Sequence, residues 1–450
     1  MFSSGPQLGR SLEGGSLVVG NAGHEVSGVG LRAGRAFAKG ERVYSQRPLV
    51  FVQSPWSLSV TPACLHCGTL LGCSIRELFS RVERTCLGMS LGVHFSLEHL
   101  EPYGFLDDPA LTMPPGLPCP MASASTPCRV AFCSQACRDL QLTVGHHRLT
   151  CGEASEAQRD AWDQFMRHAD SHHDQFALAG LVAAQAACDV LFGGKSLAVV
   201  VQRYLQYAST PWHELLSQET KDRQTWVDRR QAMLEASREL LLPVLQAPLE
   251  AAGLGELVTP EGFSWLVGML NVTTKDLGCH NPLDQAVRAA IAQKPTMVHA
   301  ELARLGLAWV SLQNAGQNRQ ADTSPDISED DSAEEGAGAA SGSGEGTMNL
   351  VEISRRAASL PLLPGFDGFG LVEAVALTNH SCSANLDVDP AEGRGPIAAV
   401  AVALQDIAEG EELFMTYIDD NQPRKVRQRH LRDRYLFHCC CARCVAEADS

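Results

Sequence analysis

The sequence has no long apolar run. Nowhere does it approach the roughly 18 to 20 uninterrupted apolar residues that a membrane-spanning helix needs. The Gly- and Ser-rich start, Met1 to Asn21, also lacks the apolar block of a secretory signal and reads as a flexible tail to residue 25. Basic residues are in deficit, with 36 Lys and Arg against 52 Asp and Glu, a formal charge of −16. That balance disfavours broad nucleic-acid binding and is compatible with basic protein substrates. No internal repeat is visible. A cytoplasmic or nuclear protein is the default expectation, with no membrane partner and no direct reading of DNA.

About half of the charge deficit is local. Asp322 to Glu345 carries eight acids and no Lys or Arg, inside a polar, Gly/Ser/Ala-rich stretch at 313–347. Such a composition cannot bury enough apolar surface to fold, and a disordered linker is expected there. The remainder is different. With 450 residues and 45% apolar content, the chain can bury a real core and make two or three domains.

Sixteen cysteines stand out against this background, and nine of them fall within residues 64–151. In a long chain without a secretory signal, clusters at short spacing point to metal rather than to a disulfide framework. Cys64-x2-Cys67, Cys133-x3-Cys137 and His147-x3-Cys151 are such pairs, and Cys119 and Cys128 lie between them. Short-spaced pairs are what tetrahedral zinc needs, since one turn presents two ligands and a distant pair completes the shell. Eight ligands suit two ions. Cys73 and Cys86 stand as alternatives to Cys119, and His146 as an alternative to His147. Buried cysteines acting as small hydrophobes are the plainer reading; two short-spaced cysteine pairs with a His-x3-Cys outweigh it.

The second concentration of chemistry is Asn379-His380-Ser381-Cys382, closed by Asn385. It sets an amide, an imidazole, a thiol and a second amide close together, each needing a partner if buried. Further on come Gly410-Glu411-Glu412 leading to Tyr417, then Tyr435-Leu-Phe437, and then Cys439, Cys441 and Cys444. Near the start stands Gly28-Val29-Gly30-Leu31. Taken singly, a Gly-x-Gly is most often a turn and a lone tyrosine most often a core residue. Their order along the chain carries more weight than any one motif.

In that order the motifs resemble those of the SET-and-MYND-domain lysine methyltransferases. The likeness covers residues 26–151 and 349–449 well and the helical middle loosely, and it is to members without the C-terminal helical repeat. It implies an α+β protein whose β-rich, pseudoknotted SET fold is split by a zinc-binding MYND module and a helical insert, and closed by a zinc-bound post-SET segment. The expected parts are the SET start at 26–63, the MYND module at 64–151, the insert at 152–312, the SET core at 348–421 and the post-SET segment at 422–450. Two interleaved zinc sites are implied in the MYND module, Cys64, Cys67, Cys133 and Cys137 on one and Cys119, Cys128, His147 and Cys151 on the other. Cys382, Cys439, Cys441 and Cys444 would hold a third zinc.

The resemblance further implies S-adenosylmethionine as cofactor, cradled by Gly28, Val29, Gly30, Asn379, His380, Tyr435 and Phe437. Tyr417 and Tyr435 would be the catalytic tyrosines, acting on a lysine of a histone or another protein, ribosomal proteins included. The MYND surface is a candidate for docking a partner peptide. An adaptor with a silent SET domain is the alternative function. The sequence departs from the family pattern in the eight residues between Cys119 and Cys128, in the long insertion at 68–118, and in Ala384 where a proline is usual. The run Arg424 to Arg434, with six basic residues, reads as a solvated helix face ahead of an acid-binding patch.

Overall fold

Strands from the two ends of the chain lie side by side. The computed structural model describes residues 8–22, 28–72, 74–91, 95–122, 128–207, 209–216, 220–321 and 361–448. Five strands come before residue 54: β1 Ser11–Leu12, β2 Leu17–Asn21, β3 Val29–Ala33, β4 Arg42–Gln46 and β5 Val50–Gln53. β6 Leu117–Pro118, β7 Ala131–Phe132 and β8 Lys275–Asp276 are short, and β9 Gly368–Leu371, β10 Asn379–His380, β11 Leu386–Pro390, β12 Ala399–Ala403 and β13 Phe414–Met415 complete the set. β4 pairs antiparallel with β12, which pairs with β11, and β5 pairs antiparallel with β9. The pairing follows period-2 burial. In β12 the odd positions Ala399, Ala401 and Ala403 are buried and Val400 and Val402 are not.

The N-terminal tail is not free throughout. Residues 8–22 form β1 and β2, and β2 pairs along its whole length with β3. Leu17 and Val19 are fully buried. A short apolar run, Leu17 to Val19, in a Gly-rich setting found a strand partner, which composition alone did not reveal.

Between the two halves lies a helical layer. Its central helix, Gln175–Leu191, is buried on nearly every side from Phe176 to Cys188, as an all-apolar helix must be. It packs on β5 and on the helices Glu156–His172, Arg223–Ala251 and Pro260–Thr273. The insertion at 68–118 also joins this core. Its helix Ile75–Gly88, N-capped by Ser74, buries Ile75, Leu78, Phe79, Val82 and Cys86. The helix Thr296–Ala321 runs nine residues past the expected edge of the insert at 312, so the linker does not begin at 313. A helix already docked through Trp309 and Leu312 extends by adding one hydrogen bond per residue. The whole acidic stretch, Asp322 to Glu345, and the expected restart near Met348 fall outside the described residues.

One contiguous hydrophobic cluster therefore spans the early strands, the insertion helix, the helical layer and the late strands. The cysteine-rich segment has a small core of its own. The expected α+β architecture is what the chain adopts.

Candidate active site and metal clusters

The chain crosses itself at the candidate site. β10 runs parallel to β13, with Asn379 opposite Phe414 and His380 opposite Met415. Ser381 N donates to Met415 O at 3.0 Å, and the buried Asn385 locks the crossing through Phe414 N to its Oδ1 (2.7 Å) and its Nδ2 to Glu412 O (2.9 Å). Asn385 thus holds the two segments together.

Gly30 of β3 faces this crossing. A Cβ there would lie 2.5 Å from Glu412 Oε1 and 2.8 Å from Asn379 Nδ2, so any larger residue would have to push both side chains out of their present places. Asn379 Nδ2 donates to Glu412 Oε1 (2.9 Å) and to Val29 O (3.3 Å). Glu412 is 6% exposed and has Arg32 at 4.0 Å from its other oxygen. This buried carboxylate, within the Gly-Glu-Glu motif, had no assigned role in the sequence reading.

Next to it stands an aromatic wall. The Tyr417 and Tyr435 rings are 4.9 Å apart, and His380 lies 5.3 Å from Tyr417 and 6.0 Å from Phe437. The Tyr417 hydroxyl donates to Thr378 O at 2.7 Å, and Tyr435 OH approaches Tyr417 O at 3.5 Å. Burial pushes both phenols up from their usual pKa, so they stay neutral at physiological pH. Tyr417 N–H donates to His380 Nδ1 at 3.1 Å, which leaves the ring proton on Nε2, 3.4 Å from Cys382 Sγ. Burial, and then the charge of Arg427, push His380 down to about 4. Both ring nitrogens are thus engaged within the chain.

Three clusters of four ligands are present among the described residues. They are Cys64, Cys67, Cys133 and Cys137; Cys119, Cys128, His147 and Cys151; and Cys382, Cys439, Cys441 and Cys444. Within each, all ligand atoms lie within 4.8 Å of one another. A tetrahedral zinc with Zn–S bonds of about 2.3 Å sets neighbouring sulfurs about 3.8 Å apart. The spacings fit: Cys67–Cys133 and Cys133–Cys137 at 3.5 Å, Cys119–Cys151 at 3.9 Å, Cys382–Cys444 at 3.6 Å and Cys382–Cys439 at 4.0 Å. His147 Nε2 lies 3.3 Å from Cys119 and 3.6 Å from Cys128. These are zinc-binding clusters by donor chemistry and by distance.

The alternatives separate in space. Cys86 belongs to the main core, and Cys73 lies outside the described residues. His146 is buried with Nδ1 unpartnered and takes no place in a cluster. Cys440 is exposed, its thiol toward His438 O at 3.7 Å. The first cluster is fixed against the strands by Cys67 O, which accepts from Ile397 N at 2.9 Å. Gly68 makes that approach possible, at φ +73° and with Ile397 Cγ1 2.3 Å from where a Cβ would be.

The sequence profile of the SET domain matches residues 286–418, which contain the crossing, Asn379, Glu412 and Tyr417. That segment is a SET domain. The protein-lysine N-trimethyltransferase SMYD5 of Mus musculus is 25% identical to the chain over 435 residues, 94% of this chain and 85% of its own length. The histone-lysine N-methyltransferase ATXR2 of Arabidopsis thaliana is 24% identical over 347 residues, 74% of this chain and 64% of its own. The N-lysine methyltransferase SMYD2 of Homo sapiens reaches 41% over a shorter stretch of 80 residues, 18% of each chain. The SET core is accompanied by zinc clusters of the MYND and post-SET kinds, which makes the chain SMYD-like in its parts. No helix among the described residues is long and apolar enough to cross a membrane.

Proposed function

We propose that this protein is an S-adenosylmethionine-dependent protein-lysine N-methyltransferase acting on histone or non-histone proteins, ribosomal proteins among the candidates. The observation that carries the reading is the hydroxyl of Tyr417. Donating its one proton to Thr378 O, next in sequence to Asn379, it would present its lone pairs to a substrate amine beside the Tyr435 ring.

The residues fit the cofactor: a side-chain-free approach at Gly30, and buried polar groups at Asn379 and Glu412 beside it. Gly28, Val29 and Gly30 would cradle it by main chain, and Tyr435 and Phe437 would wall it. S-adenosylmethionine supplies, when bound, a sulfonium methyl primed for direct displacement. The chain's own residues orient and exclude. Asn379 commits its Nδ2 to Val29 and Glu412, which leaves Oδ1 to accept from an ammonium. Tyr417 accepts from the lysine amine and fixes its direction, and such alignment provides much of the acceleration in a displacement. Neither phenol serves as a base, because both titrate above their usual range, so the amine loses its proton to solvent before it enters. His380 sets the Tyr417 backbone, and Phe437 keeps water from the wall.

The test is methyl transfer from labelled S-adenosylmethionine to core histones and ribosomal protein, with Tyr417→Phe beside the wild type. Label on one substrate class is expected, reduced about tenfold to a hundredfold in the variant, with cofactor affinity within twofold. Wild-type protein that holds its zinc but binds no cofactor would sink the proposal.

A further inference from the structure

The composition of the helix Arg424–Tyr435 predicts a solvated basic face, and Lys425, His430 and Arg434 are exposed. Arg427 is not. It is 1% exposed, among the largest fully buried side chains of the protein. A buried guanidinium needs partners for its five N–H groups and a compensating charge.

Its partners are the ligands of the C-terminal cluster. Nε donates to Cys382 Sγ at 3.3 Å, and Nη2 to Cys444 Sγ at 3.6 Å and to Glu447 Oε2 at 2.6 Å. Nη1 donates to Gln422 O at 2.6 Å. The two sulfurs come from different places, Cys382 from the SET core and Cys444 from the tail, so one planar fork spans both.

We propose that Arg427 is a positioning residue of the C-terminal metal site, whose fixed positive charge offsets the excess negative charge of four thiolates around a divalent ion and ties the tail to the SET core. The inference rests on the reading of that cluster as a zinc site. Four thiolates on Zn²⁺ leave a net charge of −2, and here all four ligands are buried, between 1% and 6% exposed. Little water reaches that charge, and Arg427 is the cation set directly against its sulfurs. The first MYND-type cluster also has four thiolates, but Cys133 and Cys137 are only partly buried and solvent relieves them. In the second, His147 replaces one thiolate and lowers the charge by one. The cluster with the greatest buried charge is the one with an arginine against its sulfurs. Lysine would keep the charge but could not reach Cys382, Cys444 and Glu447 together.

The consequence reaches the aromatic wall. Tyr435 and Phe437 lie between Arg427 and Cys439 in sequence, so a tail that leaves Cys382 carries them away from Tyr417 and His380.

The experiment measures zinc in the full-length protein: metal per chain, then the rate of release to a chromogenic chelator, for wild type, Arg427→Met, Arg427→Lys and Cys382→Ser. Three zincs are expected in the wild type and two in Cys382→Ser. Arg427→Met should release the third zinc at least tenfold faster and keep the other two at wild-type rates, which also reports an intact fold. Arg427→Lys should recover part of the difference. Third-site release within twofold of wild type in Arg427→Met overturns the proposal. If Arg427→Met fails to fold and loses all three, Arg427→Lys decides: release at least threefold faster supports the proposal, and unchanged release overturns it. A wild-type count of two that Cys382→Ser does not lower overturns the metal site and the proposal with it.

Discussion

The MYND-type clusters and the C-terminal cluster are built from nearly the same donors and hold very different positions. The first two lie in a small core of their own, contributed by residues 64–151, with Cys128, Cys133 and Cys137 partly open. The third is wholly buried and draws one ligand from the SET core and three from the tail. Hydrogen bonds at the MYND-type sulfurs come from local groups, such as Thr69 at 3.2 Å from Cys67 and Met121 N at 3.4 Å from Cys119. At Cys382 they come from Arg427 and His380, and the latter also holds the backbone of Tyr417. One kind of site folds a module, and the other joins the tail to the wall of the candidate active site.

The largest break in that comparison should come from Cys382→Ser. Zinc per chain should fall from three to two, and methyl transfer by on the order of a hundredfold, because a lost ligand costs more than a lost outer partner. Cys133→Ser should also remove one zinc, yet lower transfer by less than about tenfold, since no ligand of that cluster touches the aromatic wall and distant sites act independently. Elemental analysis with the same transfer assay checks both. Equal losses of activity would show that both kinds of site reach the aromatic wall alike.

A smaller effect separates the strands from all three metals. Asp367, hydrogen-bonded by Ser54 where β5 meets β9, is pushed up to about 6 by burial. A carboxyl raised on folding adds stability that is complete below its unfolded pKa and is lost as pH rises through the folded value. Its contribution is therefore present near pH 4 and gone by about pH 7. The clusters have the opposite slope, because their thiolates protonate in acid. Asp367→Asn should raise the melting temperature at pH 7.5 by roughly 1–3 °C, and much less near pH 4.5. A shift of the same size at both pH values would show that Asp367 acts by packing and not by charge.

Much of the candidate site was legible because its chemistry is local. Cys64-x2-Cys67 and Cys133-x3-Cys137 announce ligands, since one turn of chain must present two donors to one ion. The Asn379 to Asn385 segment announces itself in the same way, by polar groups too dense for an ordinary buried strand. Arg427 was hidden among six basic residues, because a helix shows its buried face only through apolar spacing, and a charged residue on that face breaks the pattern. Leu431, one turn later and fully buried, was the available signal. β1 and β2 were hidden by their glycines and serines, and the true end of the helix past 312 by its polar composition.

Sequence alone determined the ligand types, their pairing at short range and the order of the motifs, all properties of contiguous chain. Tertiary structure decided which of two adjacent histidines meets Cys119 and Cys128, which basic residue of one helix turns inward, and which strand closes against β3. Those outcomes depend on burial, and burial is set by segments hundreds of residues apart that meet only when the core forms.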